Sequence, residues 1–261
     1  QGEFWLGPKK DPRFPQWPGG QDNTKEAAVA AHVYGKKIVS CEAFTSFGHH
    51  DGFTQYPYTL KPVGDRQFCK GMNEIVFHRY AHQPDEKVPG MGLGQFGLNL
   101  ERTTTWWEPG RAWVTYLRRC QYMLRQGKFV ADFAYLQDER IPSYVVSRPG
   151  EKPQCPPGYD YDALHAEVLQ TRASAEGGQL QLESGMRYRY LVLPPDPDAI
   201  LTPATRTKIK ELAEAGVQVI GPGYRKGTLE DILSADGLAP AIEFRKASPN
   251  ARFEKIHRRD G

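Results

Sequence analysis

The sequence predicts an α/β protein with mainly parallel sheets. Two observations carry that expectation. Short apolar runs alternate with amphipathic, capped segments along most of the 261 residues. The polar and ionisable residues of the first half also gather just past each predicted strand. Strands that alternate with helices need crossover connections, which favour parallel pairing.

The elements follow in order. "GEFW" opens the chain and gives way to a Pro- and Gly-rich stretch, "LGPKKDPRFPQWPGGQDN", which reads as loop. "NTKEAAVAAHVYG" is a helix: Asn23 or Thr24 caps it, the alanines favour it and Gly35 ends it. "KKIVSCEA" reads as a buried strand with Ile38 and Val39 in the core and Glu42 near its end, leading into "FTSFGHH". "PVGDRQFCKGM" suggests a short helix, and "NEIVFHRYA" a second strand. After the loop "HQPDEKVPGMGLGQFG", "GRAWVTYLRRCQYMLRQG" places Trp113, Tyr116, Leu117, Cys120 and Leu124 at helical spacing.

A different rhythm begins at Lys128. "KFVADFAYL" reads as a strand, "DALHAEVLQT" as a helix, "RYRYLVLPP" as a strand, "TPATRTKIKELAEAG" as a helix, "VQVIGP" as a strand and "TLEDILSADG" as a helix. Thr202 followed by Pro203 is a strong helix start.

Composition removes several function classes. Thirty-four Lys and Arg against 31 Asp and Glu leave a net charge of +3, which gives no electrostatic case for nucleic acid. No stretch approaches the roughly 20 apolar residues of a membrane span. No signal peptide is visible, but the chain starts at Gln1, so a piece of a longer protein is expected. Cys41, Cys69, Cys120 and Cys155 lie far apart without a CxxC, so neither a zinc site nor a disulfide framework is expected. "GLGQFG" lacks dinucleotide-binding spacing and a strand before it.

The candidate site residues sit at strand ends: Glu3, Glu42, His78 and His82. In a (β/α)8 barrel the active site is built from the C-terminal ends of the strands, which gives such residues a reason to be there. A loop glutamate paired with a basic neighbour is the structural alternative for Glu42, and a core histidine the alternative for His78. His49 and His50 are candidate hydroxyl contacts or simply exposed. Trp106 and Trp107 divide between core packing and sugar stacking, and Arg102 between a site carboxylate and a surface salt bridge.

Four segments, "AAHVYGKKIVSCEAFTS", "GDRQFCKGMNEIVFHRYAHQP", "RTTTWW" and "YLRRCQYMLRQGKFVADFAYL", resemble the C-terminal part of the catalytic region of glycoside hydrolase family 106, the α-L-rhamnosidases. The resemblance covers most of residues 1–200. It implies the C-terminal portion of a (β/α)8 barrel over residues 1–127. It further implies a flavodoxin-like α/β domain over 128–245, with residues 246–261 opening a further β-rich domain. It implies inverting hydrolysis of terminal α-L-rhamnosides in oligo- or polysaccharides, and a periplasmic or secreted location. Glu42 in "CEAFTS" matches the general base. Glu3 in "GEFW" is a second acid/base candidate or a contact to substrate or calcium. The general acid lies on an earlier strand, outside this chain. A calcium ion is expected at the sugar, with Glu3 and Asp65 as candidate ligands, although no Asp-rich loop marks it. His78, His82, Arg102, Trp106 and Trp107 are the candidate substrate contacts. The competing readings are a non-catalytic carbohydrate-binding protein on a decayed barrel, another barrel glycosidase of the β-galactosidase-like kind, and an α/β interaction module.

Overall fold

The computed structural model describes residues 1–6, 22–46, 51–92, 94, 96–141, 143, 145, 153–242 and 255–259. The chain divides into two compact units: residues 1–28 with 38–126, and residues 29–37 with 127–261. The second unit therefore also takes the end of the first helix. No helix among the described residues is long and apolar enough to cross a membrane.

The first unit holds a three-stranded parallel sheet of β1 (Gly2–Trp5), β2 (Ser40–Thr45) and β3 (Glu74–Phe77), in that order. Helix α1 (Thr24–Val33) connects β1 to β2, and the short α2 (Asp51–Thr54) and longer α3 (Pro57–Cys69) connect β2 to β3. Helix α4 (Arg111–Leu124) follows β3 after a long connection. The core lies between the sheet and α3 and α4. Phe4, Cys41, Ala43 and Phe44 from the strands meet Leu60, Val63 and Phe68 from α3 and Trp113 and Leu117 from α4. Gly64 is what lets α3 approach: a Cβ there stands 3.0 Å from the ring of Phe44.

Three expectations need correction here. Strand β2 starts at Ser40, not Lys36, and Ile38 is 44% exposed. The positions before Ser40 are joined to the core only through Val39, whose amide bonds to Asn73 Oδ1 at 2.8 Å. Helix α3 is longer than "PVGDRQFCKGM", because Pro57 supplies its start and Pro62 is accommodated inside it. Of the apolar stripe on α4, Trp113 and Leu117 are buried, while Tyr116, Cys120 and Leu124 are only partly covered.

The second unit opens with β4 (Lys128–Phe129), β5 (Phe133–Leu136) and β6 (Tyr161–Leu164), then α5 (Ala166–Arg172). It continues with β7 (Ala173–Glu176), β8 (Gln179–Leu182), β9 (Arg187–Tyr188) and β10 (Tyr190–Val192). Helices α6 (Pro197–Ile200) and α7 (Pro203–Glu214), strand β11 (Gln218–Ile220), α8 (Leu229–Ala235) and β12 (Arg258–Arg259) complete it. Strands β11-β10-β5-β6 form a wholly parallel sheet. Both faces are covered, which is why these strands read as unbroken apolar runs. Phe133, Tyr135, Tyr190 and Val192 join α8 residues on one side, while Ala134, Leu136 and Leu191 join α5 and α7 residues on the other.

Here too the expectations shift. "DALHAEVLQT" is not one helix: Asp162–Leu164 complete β6, and the helix starts at Ala166. "KFVADFAYL" breaks into β4 and β5, and "RYRYLVLPP" into β9 and β10. An antiparallel sheet of β7-β8-β9 is an addition. Its first turn is Gly177-Gly178, both at positive φ, the pattern of a two-residue hairpin loop. Strand β12 pairs antiparallel with β4.

Candidate active site

The first unit's sheet presents Glu3 and Glu42 side by side. Glu3 on β1 is the in-register partner of Glu42 on β2, so both side chains leave the same face of the parallel pair. The opposite face is the core, where Phe4 pairs with Ala43. Trp5 then pairs with Thr45, and Phe44 is left over as a bulged residue at φ 66°. The bulge sends Ala43 and Phe44 in succession into the core and returns Thr45 to the face of Glu42. Thr45 Oγ1 accordingly donates to Glu42 Oε1 at 3.4 Å. A bulky residue at positive φ stores roughly 1–3 kcal/mol, and strain and bulges of this kind concentrate at functional sites. Packing holds it: the Phe44 ring meets Phe4 edge-on at 5.1 Å and also lies against Phe77 and Trp113.

The two carboxylates are held differently. Trp5 Nε1 donates to Glu3 Oε1, and the Trp5 ring rests edge-on against Phe96 at 5.9 Å. His78, immediately after β3, places Nδ1 4.0 Å from Glu42 Oε1. That nitrogen is buried and has no hydrogen-bond partner, while 26% of the side chain is exposed. The exposed part is therefore the ring edge away from Glu42. Glu42 itself is 35% exposed, so a substrate or water can reach it.

His78 is fixed from both sides. Its amide donates to Ala43 O at 3.1 Å and its carbonyl accepts from Leu98 at 2.7 Å. Gly97, at φ +99°, donates to Ser46 O, so the 97–98 segment straps the ends of β2 and β3 together. A Cβ on Gly97 would stand 2.9 Å from Arg79 Cγ and 3.3 Å from His78 Nδ1, so only glycine fits. Arg79 is 9% exposed and donates through Nη2 to Asn99 Oδ1 at 3.0 Å. Burial lowers the pKa of its guanidinium, and the charge of Glu101 opposes that shift.

The remaining predicted residues fall elsewhere. His82 is exposed, and the buried member of its block is Gln83, which holds Glu101 and both backbone groups of Met91. Arg102 binds Glu86 at 3.1 Å and the carbonyls of Gln83 and Asp85, so it bolts a loop together on the surface. Trp106 packs against Trp113 and donates to Gln55 O at 2.8 Å, whereas Trp107 is 39% exposed. His49 and His50 lie outside the described residues.

Asp65 sits on α3 facing α4, where it takes Lys61 Nζ at 2.5 Å and the Tyr116 hydroxyl at 2.6 Å. Burial, then the bond to Asp65, push the Tyr116 phenol up, so it stays a donor. Glu3 and Asp65 are thus engaged separately. No group of three or more His, Cys, Asp or Glu side chains suited to a metal ion occurs among the described residues. Glu3 and Asp65, each held by its own partners, do not combine into a calcium-binding pair. Sequence reasoning missed Trp5, the partner of Glu3, the Phe44 bulge and the buried Arg79. The first and last were visible only as residue types, and the bulge carries no local signature.

Residues 1–244 match the family model of glycoside hydrolase family 106, alpha-L-rhamnosidase. A Formosa agariphila protein named "Putative beta-glucuronidase" is 36% identical over 224 residues, which are 84% of this chain and 18% of that protein. The solved rhamnosidase from Novosphingobium sp. PP1Y superposes with a TM-score of 0.85 at 25% identity, over all of this chain and 28% of that one. This chain therefore spans well under a third of the length of either relative. On the family match, the chain belongs to glycoside hydrolase family 106, the alpha-L-rhamnosidases.

Proposed function

We propose that the chain is part of an inverting glycosidase that removes terminal α-L-rhamnosyl units from oligo- or polysaccharides, with Glu42 as general base. The observation that supports it is the pairing of Glu42 with Glu3 on one face of adjacent parallel strands, with His78 4.0 Å from the Glu42 carboxylate. On this reading β1, β2 and β3 are the last strands of a (β/α)8 barrel, and the parallel sheet of the second unit is a flavodoxin-like scaffold. The full enzyme is periplasmic or secreted.

Inversion needs an acid and a base about 6.5–9.5 Å apart, with water between the base and the sugar. Glu3 and Glu42 leave neighbouring strands, whose backbones are only about 4.8 Å apart. That spacing suits a shared sugar contact better than an acid and base flanking a water. Glu3 accordingly binds a substrate hydroxyl, with Trp5 holding its other side, and the acid comes from another part of a longer polypeptide. Glu42 takes a proton from water as the water attacks the anomeric carbon. Thr45 orients the carboxylate, and the open edge of His78 and the Trp107 ring meet the sugar. The calcium expected from the resemblance draws its ligands from outside the described residues.

The relative named for β-glucuronidase keeps a second reading in view, a barrel glycosidase of different sugar specificity. Comparing aryl α-L-rhamnoside with aryl β-glucuronide on the complete enzyme separates the two. The test of the mechanism is Glu42→Gln in that enzyme. We expect kcat to fall at least about 10²-fold, the scale of general base catalysis, with the circular dichroism spectrum unchanged. Activity within twofold of the parent removes Glu42 from the role.

A further inference from the structure

Two exposed tyrosines at the start of α3 serve no part of the core. Tyr56 is 45% and Tyr58 68% exposed, with ring centroids 6.3 Å apart and planes 18° from parallel. They flank the start of α3, the helix that follows β2 and leads to its parallel neighbour β3. In such a crossover the helix begins at the C-terminal end of the preceding strand. The tyrosine pair is thus at the end of the sheet towards which Glu42, Thr45 and His78 lie.

The backbone that carries the pair is held in place. Pro57 between the tyrosines fixes the backbone φ. Tyr56 N donates to Thr59 Oγ1 at 3.2 Å, and Thr59 Oγ1 donates to Gln55 Oε1 at 3.0 Å, both side chains being buried. The Trp106 indole fastens Gln55 O from the next loop. Two nearly parallel rings, carried on a backbone held by a proline and a buried polar network, offer exposed apolar faces whose main-chain support is ordered before binding. Fixed aromatic faces rimmed by hydroxyls suit the C–H face of a pyranose, and give a charged or extended apolar ligand little to hold.

We infer that Tyr56 and Tyr58 form a stacking platform for a pyranose ring on the leaving-group side of the scissile bond. The inference rests on the glycosidase reading and adds a subsite to that same site. The experiment uses the complete enzyme and two substrates: methyl α-L-rhamnoside, which has no second ring, and a trisaccharide ending in α-L-rhamnose. In Tyr56→Ala/Tyr58→Ala the ratio of kcat/KM for trisaccharide over methyl glycoside should fall about tenfold, through KM, as expected for lost ring stacking. Tyr56→Phe/Tyr58→Phe, which keeps the rings, should hold the ratio within about threefold. A ratio unchanged in the alanine variant overturns the inference, including the case in which both substrates decline together. If the unmodified enzyme cleaves neither substrate, the glycosidase reading has failed. The platform is then read by retardation in a gel containing a rhamnose-bearing polysaccharide, where equal retardation of parent and alanine variant overturns it.

Discussion

His32, Asp162 and Tyr188 form a buried polar group in the second unit that no catalytic role requires. Asp162 and Tyr188 are fully buried. Asp162 accepts from the Tyr188 hydroxyl at 2.9 Å and meets His32 Nδ1 at 3.0 Å, while the His32 ring stacks on Phe129 at 4.1 Å. Burial raises the Tyr188 pKa well above its ordinary value, so the hydroxyl stays a donor. A buried carboxylate this well satisfied is costly to break and cheap to replace as a unit. Removing one partner strands the others, at about 3–5 kcal/mol, whereas an apolar replacement of the whole group is often neutral. We expect Asp162→Ala to lower stability by about 3 kcal/mol or more, and Tyr188→Phe by about 1.5–3 kcal/mol, the range for one hydrogen bond to a charged group. His32→Leu combined with Asp162→Leu should cost less than Asp162→Ala. Denaturant titration of the chain measures all three, and a cost below 1 kcal/mol for Asp162→Ala would show that the group carries no such weight. The type of each residue was plain in the sequence, but their meeting was not. Asp162 is 130 positions from His32, and only the path of the sheet brings them together.

Between β2 and α3 the decisive contact is Gly64 on Phe44. Replacing an interior helical glycine with alanine ordinarily gains about 1 kcal/mol of helix propensity. Here the new methyl stands 3.0 Å from the Phe44 ring, which its bulged backbone and its contacts with Phe4, Phe77 and Trp113 hold in place. Overpacking a core costs about 1–3 kcal/mol, so the clash outweighs the propensity. Gly64→Ala should destabilise the chain by about 1 kcal/mol net, read as a lower denaturation midpoint, and a rise in midpoint would mean that Phe44 moves freely. The helices that the sequence marks by a cap or by periodicity, α1, α4 and α7, are kept by the structure, as is α8. Thr202 and Thr228 do cap α7 and α8 through their side chains. The short strands were harder to place, because a three- or four-residue run has too few positions to show a period. In "DALHAEVLQT" a strand end and a helix start are separated by His165 alone, so the two merge into one apparent helix. The β7–β8 hairpin went unread, although "EGGQ" carries the Gly-Gly pair that a tight primed turn favours. At the site, Glu42 was expected just past its strand, whereas it stands inside β2 and of the candidates only His78 directly follows a strand, because the apolar run before Ser40 is not itself part of β2. Thr45 was also expected as a donor to Glu42, and it is one, but the route was hidden: the Phe44 bulge shifts the alternation by one residue and nothing in "AFTS" announces it.

Across the molecule, a parallel three-stranded sheet carries the candidate carboxylates, and β1 and β3 each have a single strand partner among the described residues. The 261 residues correspond to 28% of the solved rhamnosidase they match. Both outer edges are partly covered, since Glu3 N and O bond Asn23 and Ile75 N bonds Gln121 Oε1, but neither is closed by a strand, and a strand edge without a strand partner invites association with other chains. On the proposed mechanism the isolated chain also lacks the acid, so a departing alkoxide goes unprotonated. Loss of general acid or base assistance alone costs about 10²–10⁴ in rate. The water-activating half survives: Glu42 keeps Thr45 within the same strand and His78 on the next. What is absent is then protonation of the leaving oxygen, and an aryl α-L-rhamnoside, whose phenolate departs without much protonation, gives the isolated chain its best chance. We expect the purified chain to release no aryl group above background from that substrate, with or without calcium, while the longer parent enzyme turns it over. We further expect the chain to elute from gel filtration as oligomers rather than as a 29.5 kDa monomer. A monomer with turnover comparable to the parent would place a complete acid and base within residues 1–261, and Glu3 would then be the first residue to test as the acid.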